Sequence, residues 1–121
     1  MADNEPYIQE ANTIIAALGH GFRLEGDYPG CKNITASNNK KSPGYFDIDH
    51  PVAKGFSTLY EGATISYPNR ILDNFQVFAY NTNAAALQPT IIYQNRSVNN
   101  GTLWIDTAFT KLYQMNPEIC Q

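Results

Sequence analysis

The stretch TIIYQNRSVNNGTLWID, residues 90–106, decides the fold that this sequence predicts. It contains two runs of β-branched and aromatic residues, which favour strands, on either side of Asn99-Asn100-Gly101. Asn and Gly adopt consecutive positive φ angles at the lowest cost, so this tripeptide is a signal for a hairpin turn. We therefore expect residues 90–94 to pair antiparallel with residues 102–106.

The sequence before the hairpin predicts further short strands. Residues 64–67 and 75–80 are rich in the same residue types and are bounded by Pro, Asn and Gly. Residues 22–25 alternate between apolar and polar side chains, and the Asp-Tyr-Pro-Gly of residues 27–30 indicates a turn that ends this strand. Residues 38–44 are polar and end in Pro-Gly, which indicates a loop.

One helix is predicted, at residues 5–18. Asn4 is a suitable N-cap, Pro6 lies in the first turn, and Gly19 supplies the left-handed residue that stops the helix. Its apolar side chains recur at helical spacing and form one stripe, which consists of Ile8, Ala11, Ile14, Ile15 and Leu18.

These elements predict an α/β or α+β fold, with an N-terminal amphipathic helix and a mainly antiparallel C-terminal sheet. The triplets Ile91-Ile92-Tyr93 and Leu103-Trp104-Ile105 are apolar on both faces, as in strands covered on both sides. A single helix cannot cover both faces of such a sheet. We therefore expect residues 1–121 to be one domain that belongs to a larger α/β domain, or that a partner protein or a second copy covers.

The composition limits the classes of partner. The chain has 121 residues, of which 43% are hydrophobic and 16% are charged, as in a soluble globular protein rather than a disordered one. Its net charge is −3 and its Lys and Arg residues are scattered, so nucleic acid is not an expected partner. No apolar run approaches the roughly 20 residues of a membrane helix. The first five residues lack the basic and apolar regions of a signal peptide, which favours the cytoplasm.

The two cysteines, Cys31 and Cys120, are too few for a disulfide scaffold, and their spacing fits no zinc motif. One bridge between them stays open as an alternative, and two free thiols are the favoured interpretation. Asn33, Asn95 and Asn100 each begin an N-glycosylation sequon, which matters only if the protein is secreted.

The chain resembles the class I glutamine amidotransferase-like domains that have lost their catalytic residues. Three segments in this order carry the resemblance: Asp3-Asn4-Glu5-Pro6-Tyr7 with Ala11-Asn12, His50-Pro51-Val52 with Leu59-Tyr60-Glu61-Gly62, and residues 105–112, IDTAFTKL. The resemblance implies the distal half of a flavodoxin-like three-layer domain, in which Asp3 and Asn4 open the helix after a central strand. It implies no catalytic residue and no cofactor. Thr107 and Ala108 stand where that family has two glycines.

His50 and its neighbours form the segment whose side chains most resemble a catalytic or metal-binding site. Catalysis by His50 requires a nucleophile and an orienting carboxylate, and Cys31 is the thiol nearest to it along the chain. Asp47 and Asp49 share a face of an extended segment and could contact a cation, although no third acidic residue completes a known cation loop. We favour a solvated turn in which His50 bonds the backbone, and we expect no metal.

Weaker ligand-binding candidates lie at Tyr60, Glu61, Asp106 and Thr110, together with His50. Asp106 ends an apolar strand, where ligands bind in α/β sheets, and Thr107, Thr110 or a backbone N–H group could donate to its carboxylate. The alternative is a capped turn at Asp106 and backbone bonding at Glu61. The abundant tyrosines suggest sugar stacking, but strands are rich in tyrosine, so a core role is favoured.

The sequence therefore predicts a non-catalytic binding or assembly module of a larger protein or complex. One alternative is a hydrolase or amidotransferase remnant that uses His50 and Cys31. The other is a secreted carbohydrate-binding module that uses exposed tyrosines and carries glycans at the sequons.

Overall fold

The computed structural model describes residues 2, 6–36, 40–71, 74–85, 87–95 and 101–108. Within these residues the chain forms one α-helix, a short 3₁₀ helix at Pro51–Ala53 and seven strands, and every strand pairing is antiparallel. The predicted combination of one helix with mainly antiparallel strands is confirmed. The elements are α1 Gln9–Ala17, β1 Leu24–Pro29, β2 Asn33–Thr35, β3 Thr58–Tyr60, β4 Thr64–Pro68, β5 Gln76–Tyr80, β6 Pro89–Asn95 and β7 Thr102–Asp106.

Helix α1 is shorter than predicted, because Pro6 and Tyr7 form a turn and the helix begins only at Gln9. Ile8 occupies the N-cap position and has no side-chain cap, so the expected cap at Asn4 is wrong; Asn4 itself lies outside the described residues. Gly19 ends the helix with φ +84°, as predicted. No helix formed by the described residues is long and apolar enough to cross a membrane.

Strand β1 runs through the turn that was expected at residues 27–30, and it pairs with β4 from Leu24↔Pro68 to Pro29↔Thr64. Gly26 explains the continuation. It has φ +90°, and a Cβ added there would lie 2.3 Å from Cε1 of Tyr67, so the Tyr67 ring covers the glycine directly. The register shifts at this point, and the strand absorbs the irregularity as a bulge instead of ending.

The hairpin predicted at residues 90–106 is confirmed. Strands β6 and β7 pair from Ile91↔Asp106 to Asn95↔Thr102, and Gly101 has φ +68°. Strand β5 pairs with the other edge of β6, which makes β6 the central strand and β7 an edge of this three-stranded sheet. Residues 89–93 of β6 are all buried, whereas residues 103–106 of β7 are only half-buried. The prediction that both are covered on both faces therefore holds for β6 and is wrong for β7.

Two hydrophobic clusters cover β6. On one side Ile92 packs with Ile8, Ile15 and Leu24, that is, with α1 and β1. The other cluster contains Ile91 and Tyr93 together with Ile34, Phe46, Ala53, Phe78 and Ala79. The second cover thus comes from β2 and from residues 45–53, which contain no strand. The expectation that another protein must cover β6 is wrong, because this chain supplies both layers.

A buried polar network joins β4 to the hairpin. The Thr107 hydroxyl donates to the Thr90 carbonyl at 2.9 Å, and the Ser66 hydroxyl donates to the Thr107 carbonyl at 3.0 Å. Thr107 and Ala108 are fully buried. These bonds connect the β1–β4 pair to the three-stranded sheet.

Candidate functional site

His50 holds a turn in place. Its Nδ1 accepts a hydrogen bond from the Val52 N–H at 3.1 Å and so caps the 3₁₀ helix at Pro51–Ala53. Its ring packs edge-on against Tyr93 and Trp104, with centroids 5.0 and 5.2 Å apart. The favoured interpretation, that His50 bonds the backbone of a turn, is what the structure shows. The same contact occupies Nδ1, one of the two ring nitrogens.

Asp47 and Asp49 form a local turn. The Asp47 Oδ1 accepts the Asp49 N–H at 3.1 Å, a bond that fixes the backbone before His50. Among the described residues, no group of three His, Cys, Asp or Glu side chains is placed to hold a metal ion.

Glu61 is a fully buried acidic residue, and its carboxylate joins two distant segments. Oε1 accepts the Lys32 N–H at 3.1 Å, and Oε2 accepts the Thr82 N–H at 3.0 Å. The Thr82 hydroxyl lies 3.0 Å from both carboxylate oxygens. Glu61 therefore bonds backbone N–H groups, the second of the two roles considered for it.

The surroundings of Glu61 are closely packed. A Cβ added at Gly30 would lie 2.3 Å from the Gly62 carbonyl oxygen and 2.9 Å from Cγ of Glu61. Burial raises the pKa of Tyr28 and of Tyr60, and the nearby Glu61 carboxylate raises both further. Tyr60 is half-buried in β3. The arrangement is a satisfied buried carboxylate between two tyrosines.

Asp106 also bonds the backbone next to it. Its Oδ1 accepts the Ala108 N–H at 3.1 Å, so it caps the turn that follows β7, and its carbonyl accepts the Ala2 N–H at 2.7 Å. A backbone donor was one of the expected partners. Thr107, a second proposed donor, instead donates its hydroxyl to the Thr90 carbonyl, and Thr110, the third, lies outside the described residues, as do Asp3, Asn4 and Asn100.

The remaining candidates are distributed over the fold. Cys31 is part of a disulfide, so the favoured pair of free thiols is wrong for this residue; Cys120 lies outside the described residues. A disulfide sulfur is not the thiolate that a cysteine nucleophile requires. Asn33 and Asn95 are exposed on β2 and β6, where a glycan could reach them.

An apolar groove of about 150 Å³ lies between α1 and β7, and we call it the α1–β7 groove. Ile14 and Leu18, on the predicted stripe of α1, are 60% and 39% exposed beside it. Within the described part of the chain, Asp106 is the only charged residue in its lining. The lining consists of Ala2, Ala11, Ile14, Ile15, Leu18, Leu103, Trp104, Ile105 and Asp106.

The sequence indicated more apolar surface than one helix can cover, but it did not show that part of this surface lines the α1–β7 groove. The signal was present, because the stripe of α1 contains more apolar positions than the two isoleucines, Ile8 and Ile15, that the core buries. Ile14 and Leu18 lie on the flank of α1 that lines the groove with β7.

No family model, curated protein or solved structure matches this chain. These comparisons give no indication of a glutamine amidotransferase-like domain.

Proposed function

We propose that the chain is a non-catalytic binding module that docks an extended, uncharged, apolar segment of another polypeptide in the α1–β7 groove. The observation that carries the proposal is the exposure of Ile14 and Leu18 beside the half-buried edge strand β7. An apolar cavity of about 150 Å³ accommodates a group the size of benzene, so the groove can receive one or two apolar side chains.

The side chains that could perform chemistry support a non-catalytic role. The His50 Nδ1 accepts from Val52, and the Glu61 carboxylate accepts from Lys32 and Thr82. Cys31 is in a disulfide. A catalytic group must be within hydrogen-bond reach of a substrate and of its own partner. These groups instead use their hydrogen-bonding capacity to hold loops together.

The edge of β7 favours a strand-like partner. Edge strands present backbone N–H and C=O groups to which another segment can add. The Ala2 N–H donates to the Asp106 carbonyl, which is one backbone bond to β7 from outside its sheet. Backbone bonds to β7 together with apolar side chains in the groove would hold the partner. The described residues of the lining include no Lys or Arg, which disfavours an acidic segment.

The resemblance to inactive amidotransferase-like domains remains part of this proposal as a hypothesis about ancestry. It agrees with a domain that retains binding after losing its catalytic residues. The carbohydrate-binding alternative concerns a different surface, described below.

The test is site-specific photo-cross-linking in the native cell, with the photoreactive residue at position 14. We expect cross-links, mapped by mass spectrometry, to a single apolar segment of a different chain. The control carries the photoreactive residue at Thr13, which is exposed and bonds its own helix through the Gln9 carbonyl at 2.9 Å. Leu18→Lys should abolish the cross-link, since a partner would lose roughly tenfold or more in affinity when a large apolar contact becomes a charge.

Three results would overturn the proposal. They are equal cross-linking from positions 13 and 14, no cross-link at position 14, and cross-links that map only to the same chain.

A further inference from the structure

A second hollow, of about 280 Å³, lies beside β5 and, unlike the α1–β7 groove, has several charged and amide side chains in its lining. Three tyrosines, Tyr45, Tyr80 and Tyr93, line it, and we call it the tyrosine hollow. Asp47 and Gln76 complete its wall, and the exposed Lys40 and Lys41 stand beside it.

Backbone pairing fixes the position of these side chains. The Tyr80 N–H donates to the Tyr45 carbonyl at 2.9 Å, and the Asp47 N–H donates to the Phe78 carbonyl at 2.9 Å. Gln76 lies opposite Tyr93 in the β5–β6 ladder. These backbone bonds hold the segment that contains Tyr45 and Asp47 against β5, and they do not depend on a ligand.

Some hydrogen-bonding groups of the tyrosine hollow can still bond a ligand. The Tyr93 hydroxyl donates to Oε1 of Gln76 at 2.6 Å, which leaves the carboxamide N–H groups as donors. Within the described part of the chain, neither the Tyr45 nor the Tyr80 hydroxyl has a hydrogen-bond partner. Burial raises the pKa of Tyr45 and of Tyr93, and Asp47 raises both further, so these hydroxyls stay protonated at neutral pH.

We infer that the tyrosine hollow binds one saccharide unit. Of the three tyrosines, Tyr45 and Tyr93 are buried, so the half-buried Tyr80 offers the apolar ring face to the C–H groups of a sugar. The Asp47 carboxylate accepts from the sugar hydroxyls and the Gln76 carboxamide donates to them. The volume lies just below the range of about 300–1,000 Å³ that is usual for ligand pockets, which suits a single ring.

The main competing ligand is an organic cation, which tyrosines and a carboxylate can also enclose. Lys40 and Lys41 argue against it, because two ammonium groups would repel a cation at this surface. A polyol carries no charge and avoids this repulsion.

The experiment is ligand-observed NMR with the purified chain and a panel of methyl hexosides and methyl N-acetylhexosaminides, with tetramethylammonium as the cation probe. Affinities follow from the emission of Trp104, the only tryptophan of the sequence, whose ring stacks on Tyr93 with centroids 4.7 Å apart. We expect at least one glycoside to bind. Asp47→Asn and Tyr80→Ala should each weaken it by roughly tenfold or more, as for the loss of a hydrogen bond to a charged group or of an aromatic contact.

Two controls separate binding from folding. The asparagine of Asp47→Asn retains the Oδ1 that accepts the Asp49 N–H, so this variant should remain folded. Tyr7→Ala removes a tyrosine that is 68% exposed and does not line the hollow, and it should bind as the wild type does.

Binding should also survive Leu18→Lys, because this site is independent of the α1–β7 groove. The inference fails if no glycoside binds, if Asp47→Asn and Tyr80→Ala both bind with unchanged affinity, or if tetramethylammonium binds and the glycosides do not.

Discussion

Replacing Glu61 with Ala should destabilise the fold by about 2–4 kcal/mol, because a buried donor that loses its partner costs about 1–3 kcal/mol. The substitution removes the acceptor of the Lys32 N–H, the Thr82 N–H and the Thr82 hydroxyl together. Lys32 is exposed and water can serve its N–H, so the two Thr82 donors carry the penalty, and the lower half of their sum of about 2–6 kcal/mol applies because Thr82 is only half-buried. A loss of this size corresponds to a fall in Tm of roughly 10 °C for a chain of this length.

Urea unfolding followed by Trp104 fluorescence and circular dichroism measures this loss. Glu61→Gln keeps one acceptor oxygen and should fall between the wild type and Glu61→Ala. The matched control is Glu25→Ala, since Glu25 makes a 3.4 Å ion pair with Arg23 at the surface and its loss should cost less than about 1 kcal/mol.

A double-mutant cycle with Thr82→Val tests the mechanism. The two substitutions should be non-additive by about 1 kcal/mol, because each removes the same hydroxyl–carboxylate contact. If Glu61→Ala lies within about 0.5 kcal/mol of the wild type, as surface substitutions do, the carboxylate is not structural and its role as a ligand acceptor becomes the better explanation.

Three further predictions follow from the same contacts. Gly30→Ala should destabilise the chain by at least about 1–3 kcal/mol in urea, because the new Cβ meets the Gly62 carbonyl oxygen at 2.3 Å; a neutral outcome would mean that the β1–β2 connection is loosely packed. His50→Ala should lower the free energy of unfolding by about 2–4 kcal/mol, because the cap and the ring contacts are lost. His50→Asn should recover about 1 kcal/mol of this loss, because Asn can still cap the 3₁₀ helix. Equal losses for the two variants would contradict the capping role. The tyrosines with a raised pKa should stabilise the fold below about pH 10 and lose this contribution as the pH rises through their folded-state pKa values, because the folded state holds phenolic protons more tightly than the unfolded chain; a free energy of unfolding in urea that does not fall above about pH 10 would contradict this for Tyr28, Tyr45, Tyr60, Tyr80 and Tyr93.

The hairpin was predictable because its signals are local. Residues 90–94 and 102–106 have a clear strand composition, and the turn residue Gly101 lies within the same stretch. The end of α1 at Gly19 was predictable for the same reason, because the signal lies in the residue itself. Such signals depend on the conformational preferences of neighbouring residues, which a sequence displays directly.

The parts that sequence reasoning missed depend on distant residues. The Tyr67 ring packs on Gly26 at the bulge of β1, and nothing near Gly26 in the sequence shows this contact. The acceptor role of Glu61 similarly requires Thr82, 21 residues away. Strand β2 has three residues and a single buried side chain, Ile34, which gives no usable periodicity.

The cover of β6 was mispredicted for a related reason. Tyr45 and Phe46 are buried, and Phe46 bridges to Ala79, yet the segment that contains them has no regular secondary-structure pattern. Apolar residues in irregular segments can form a layer of the core, and a count of helices alone underestimates the cover that the chain provides.

The Ile14→Lys variant tests most directly whether the α1–β7 groove is an open docking surface of a stable fold. The introduced lysine would lie four residues after Glu10 on α1, a spacing that stabilises helices by about 0.2–0.5 kcal/mol, while it places a charge beside the groove. Urea unfolding and the binding of an apolar fluorescent dye are measured on the same samples. The account predicts unchanged or slightly higher stability together with a several-fold loss of dye binding. A variant that unfolds, or one that binds dye as the wild type does, would contradict it.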